Sequence, residues 1–88
     1  MEKQIVSINE YGDIRINIKD IMSSSNISRY ALAKAINARF EVVDKWYKGT
    51  LEKIDTDILA RICYVLECKP EDIIIYRPIE PSEKMKSK

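Results

Sequence analysis

Residues 29–49 contain two runs of helical apolar spacing separated only by Asn37-Ala38-Arg39. In the first run Leu32, Ala33 and Ile36 fall on one face. In the second, Val43 and Trp46 do so, with Tyr47 beside them. A continuous helix would need no interruption there. Asn37 supplies one, because its short polar side chain tolerates the left-handed backbone that ends helices. Ala33 is small enough to sit where two helices cross. Ile36, Ala38, Val43 and Trp46 then follow Leu32 at offsets of four, six, eleven and fourteen. Two helices sharing one core across a tight bend form a helix-turn-helix.

The flanking sequence extends this into a small bundle. Ser28 is the expected N-cap of a helix over 29–36, and Gly49 the stop of one over 40–48. A further helix should begin near Asp55, with Ile58, Ile62, Val65 and Leu66 on one stripe. Lys69-Pro70-Glu71-Asp72 reads as the first turn of a short last helix. Upstream, Asn17 and Asp20 resemble a capping pair for a helix from about Ile18 to Ser25, ended by Ser23-Ser-Ser-Asn26. Ile14, Ile16 and Ile18 alternate with polar residues, and Ile5, Val6 and Ile8 form another β-favouring run. A hairpin within 1–17 is one expectation. Ile73-Ile-Ile-Tyr76 is a candidate strand able to pair with the N-terminal one. The fold class is mostly α, four to five helices with short terminal strands. Residues 1–17 form an extension, 18–77 the domain, and 78–88 a polar tail expected to be disordered.

Composition removes several alternatives. Eighty-eight residues make one small domain. No apolar run reaches the ~18 residues of a membrane span, and the N-terminus lacks a signal-peptide core, which points to the cytoplasm. Cys63 and Cys68 are the only cysteines and there is no His, so neither a disulfide framework nor a zinc site is expected. Cys63 reads as a small buried hydrophobe. With no His, Gly-rich phosphate loop or nucleophile–base pair, neither an enzyme nor a cofactor is expected. The net charge of +1 is unevenly placed. Residues 29–53 hold six cations against three anions, while 54–76 hold five anions against two cations. One basic surface on a near-neutral chain suits an anionic partner.

Four stretches carry a resemblance: Ser28–Ile36, Val43–Gly49, Ile58–Leu66 and Pro70–Ile73. Together, residues 18–76 resemble the Cro-like, or xenobiotic-response-element, helix-turn-helix regulators of bacteria and phages. Asn37 stands where that family more often has Gly, and residues 1–17 lie outside its pattern. The resemblance implies double-stranded DNA as partner. It places Arg39, Phe40, Glu41, Val42 and Lys45 toward base edges, and Arg29, Lys34, Lys48 and Thr50 toward phosphates.

The side chains suit those roles chemically. Arg39 can donate to guanine O6 and N7, and Glu41 can accept from cytosine N4. Phe40 and Val42 can pack on thymine methyls, and Lys45 can reach guanine or a phosphate. Other roles stay open. Glu41 lies in a first helical turn, where the dipole favours an anion in any protein. Phe40 can tuck into the core or a dimer contact, and Asp44 reads as a solvated charge. The functional expectation is a homodimeric transcriptional regulator on a palindromic operator, repressor before activator. The alternative is a protein-binding module, such as an antitoxin or a partner of another regulator.

Overall fold

The computed structural model describes residues 11–79, and most of its helix ends lie where local chemistry directs them. Helix α1 spans Lys19–Ser25 and stops at Asn26, whose φ of 55° is left-handed. Helix α2 spans Arg29–Ala35, and the Ala31 N–H donates to Ser28 Oγ at 3.1 Å. That bond satisfies one of the amides a helix start leaves without a partner. Asn37 then takes φ 57°, as the bend requires. Helix α3 runs Phe40–Lys48 and is capped by Gly49 at φ 72°. A Cβ on Gly49 would meet nothing within 4 Å, so backbone conformation alone calls for glycine.

Helix α4 spans Thr56–Leu66, with Asp55 accepting from the Asp57 and Ile58 amides at 2.9 and 3.3 Å. It ends in a Schellman turn. Glu67 is left-handed at φ 54°, and the Cys68 N–H donates to the Cys63 carbonyl at 3.1 Å. Helix α5 is a single turn, Pro70–Ile73, closed by the Lys69 N–H donating to the Asp72 carboxylate at 2.9 Å.

Two short strands complete the domain. β1, Asp13–Ile16, pairs antiparallel with β2, Ile74–Arg77, in a register that sets Ile14 opposite Tyr76 and Ile16 opposite Ile74. The C-terminal strand therefore does pair with an N-terminal one. The run around Ile5–Ile8 that would form a hairpin with it lies outside the described residues, as does the tail from residue 80 onward. Ile73 belongs to α5 rather than to the strand and is fully buried.

One capping expectation fails. Asn17 caps nothing in α1, where Ile18 occupies the N-cap without a side-chain bond. Instead the Asn17 N–H donates to the Ile73 carbonyl at 2.7 Å, and its side-chain amide to Asp72 O at 3.4 Å. Asn17 fastens the start of α1 to the end of α5. Ile14 is also more exposed than a half-buried strand residue would be, because only Ile16 and Ile18 reach the helices.

The core joins all five helices. Ile18, Leu32, Val43, Ile62 and Ile73 are fully buried, with Trp46 at 2% exposure among them. Ala33 is buried too, which lets α2 and α3 approach closely. Cys63, expected inside, is half-buried.

Candidate nucleic-acid interface

Helix α3 divides into stripes at 3.6 residues per turn. Val43 and Trp46 face the core, with Val42 and Tyr47 half-buried at its margins. The opposite stripe is Glu41, Lys45 and Lys48, all exposed. Arg39 occupies the N-cap in extended conformation, so its side chain leaves the helix start and is exposed. Thr50 follows the cap, exposed, its N–H donating to the Lys45 carbonyl at 3.1 Å. Lys34 is exposed on α2. Among the described residues Arg39, Lys34 and Lys45 form no ion pair.

The remaining flank of α3 is Phe40, Asp44 and Tyr47, and it is occupied from within. The Arg29 guanidinium donates to the Asp44 carboxylate at 2.5 Å. It also lies 4.7 Å from the Tyr47 ring centre and 5.5 Å from that of Phe40. Lys48 reaches the second Asp44 oxygen at 3.0 Å, one turn along α3. Lys19 lies 5.2 Å from the centre of the same Tyr47 ring. The Lys48 hydrogen bond, opposed by partial desolvation and joined by Arg29, holds the Asp44 carboxyl below its ordinary pKa.

One expectation is thereby revised, and two candidate site residues gain partners within the protein. Asp44 is not a freely solvated charge, since two cations hold it. Arg29 is committed to Asp44 and two aromatic rings, so its free-protein geometry points along the α2–α3 seam. Phe40 is half-buried and stacked on Tyr30, with ring centres 4.2 Å apart and planes inclined at 22°. Sequence reasoning passed over Tyr30, which is 72% exposed. An aromatic one turn before Lys34 was the available signal, but its partner lies across the bend.

The family model for the Cro/C1-type helix-turn-helix DNA-binding domain matches residues 17–78. The chain belongs to that family. Its Cro/C1-type fold also resembles the crystal structure titled transcriptional regulator VanUg, form II, with a TM-score of 0.61. The likeness covers 85% of this chain and 100% of that one at 20% identity, so it is one of fold. A comparison with curated proteins found no match. The Cro/C1-type domain is a DNA-binding architecture, and α2 and α3 are its helix-turn-helix. No helix among the described residues is long and apolar enough to cross a membrane. No group of three His, Cys, Asp or Glu among them is placed to hold a metal ion.

Proposed function

We propose that this protein binds double-stranded DNA sequence-specifically through α3 and regulates transcription by occluding a promoter. One observation carries the reading. Glu41 and Lys45 stand exposed on one stripe with Arg39 exposed at the N-cap, while the neighbouring cations Arg29 and Lys48 are held by Asp44. Among the described residues these base-edge donors and this acceptor have no internal partner, as groove reading requires. Arg39, Phe40, Glu41, Val42 and Lys45 form the base-facing set in this reading. Lys34 and Thr50 face the backbone, and Lys48 and Arg29 reach it only by leaving Asp44.

A domain of this size covers few base pairs, so two copies on a palindrome would supply useful affinity. Ile14 and Tyr76, paired across the ribbon and 53% and 57% exposed, offer an apolar surface for such a dimer. A second reading, a module for a protein partner, draws on another feature. An open groove of about 380 Å³ runs between the end of α2 and α4, lined by Ala35, Ile36, Ala60 and Val65 beside Tyr64. Tyr64 is 85% exposed.

Selection of the purified protein against random duplexes separates the two. Enrichment of an inverted repeat, lost in the Arg39→Ala/Lys45→Ala double variant, supports the DNA reader. Failure to enrich any sequence, with only weak salt-sensitive binding, sinks it and favours the protein partner.

A further inference from the structure

We propose that Tyr30 is a DNA-contacting residue of this domain, its hydroxyl donating to a backbone phosphate beside the base pairs that Phe40 faces. The inference rests on the proposed DNA-binding function and adds one residue to the α2 side of the contact surface.

Three observations converge on Tyr30. The first is its setting. Stacking on Phe40 at 4.2 Å covers one face of the ring and leaves the other open, with the residue 72% exposed. A large aromatic normally buries its ring and satisfies its hydroxyl. Here the hydroxyl has no hydrogen-bond partner among the described residues. The second is its neighbour. Tyr30 and Lys34 lie four residues apart on one stripe of α2, both exposed. A neutral donor beside a cation that forms no ion pair among the described residues suits a phosphate diester, which takes hydrogen bonds from Tyr as well as from Lys.

The third is what happens to Arg29. That residue starts α2 and would be the natural phosphate ligand of its end. Its guanidinium is turned inward onto Asp44, Phe40 and Tyr47. Arg29 thereby acts as a positioning residue that ties α2 to the flank of α3. Tyr30 is left as an exposed donor-bearing side chain of that α2 terminus. Because its ring rests on Phe40, its place is fixed relative to the recognition helix rather than to a mobile side chain. The stack also couples the two roles. A base contact that moves Phe40 moves the phosphate donor with it.

The test uses the full chain and the duplex selected in the experiment above. Tyr30→Phe removes the hydroxyl and keeps the stack. It should melt with the wild type and bind the duplex roughly ten-fold more weakly, the scale of a lost hydrogen bond to a charged group. A scan of single methylphosphonate substitutions along each strand then forms a double-substitution cycle with this variant. The expected result is one backbone position whose neutralisation weakens the wild type but barely affects Tyr30→Phe. A merely structural role would lower affinity equally at every position. That outcome, or wild-type affinity in Tyr30→Phe, overturns the proposal while leaving the DNA-binding function intact. A wild type that enriches no duplex removes both.

Discussion

Arg29 and Asp44 meet at 2.5 Å across the crossing of α2 and α3, and Lys48 closes on the same carboxylate from the other side at 3.0 Å. A single anion thus sets the direction of two cations that the sequence alone would send to phosphates. Lys48 lies one helical turn from Asp44, so that half is local. The Arg29 half depends on α2 lying against α3, which in turn depends on a small residue at Ala33.

Replacing Asp44 by Asn should lower the melting temperature at neutral pH and abolish a pH dependence. The folded-state pKa of Asp44 lies below its ordinary value of 3.8. A carboxyl depressed by folding stabilises the native state above its unfolded pKa and loses that contribution as pH falls through the folded value. Melts of wild type and Asp44→Asn should therefore differ near pH 7 and converge below pH 3.8. Parallel curves throughout would show that the ion pairs contribute nothing.

The helix crossing should resist enlargement. Ala33→Leu places extra methylenes in a filled core and should cost about 1–3 kcal/mol. Urea titration reads the loss. DNA affinity should fall with it, since α3 is displaced.

Two left-handed residues give opposite outcomes. Glu67 adopts φ 54° without the local bonding that helps Asn. Glu67→Gly should therefore raise stability by about 1 kcal/mol. Asn37→Ala, at φ 57°, should lower it by a similar amount. Denaturant midpoints check both, and a neutral Glu67→Gly would mean that the Schellman turn relaxes.

On the selected duplex, Arg39→Ala should cost about 1–3 kcal/mol and relax preference at one base pair. Lys34→Ala should weaken all sequences alike and reduce the salt slope by about 1. Titrations at several salt concentrations distinguish the two patterns.

The Cys68 thiol is pushed up to about 11, first by burial and then by Cys63 beside it, with Asp72 adding to the effect. Because the thiolate is the nucleophile, iodoacetamide should modify Cys68 slowly at pH 8 in the native protein. The rate should climb as pH rises toward 11, and unfolding in urea should remove the lag. Fast native alkylation at pH 8 would contradict this placement.

Much of the fold was legible because its signals are local. Ser28, Asp55, Pro70 and Gly49 mark helix ends through bonds or dihedrals spanning a few residues, and α3 ends where Gly49 caps it. Asn37 was legible for the same reason. What stayed hidden is tertiary. Asn17 carries the local mark of a cap, but its hydrogen bonds run to Asp72 and Ile73 at the far end of the chain. The stack of Phe40 on Tyr30 also needs the two helices in place before it exists. In the candidate site, periodicity set Glu41 and Lys45 outward, but Phe40, expected beside them, lies half-buried against Tyr30. The inward turn of Arg29 did not follow from periodicity, because any exposed-looking arginine at a helix start has many equally good futures.

The pairing of β1 with β2 has a consequence for chain engineering. Asp13 faces Arg77 across the ribbon, at the strand spacing of about 4.8 Å. The backbone enters and leaves the domain through one doorway. Anything fused at either side hangs from the same spot, and a short bridge from 79 back to 11 would close the domain into a ring. New ends could then be cut in the exposed stretch 52–55, between α3 and α4, turning the molecule into a circular permutant with every helix uncut.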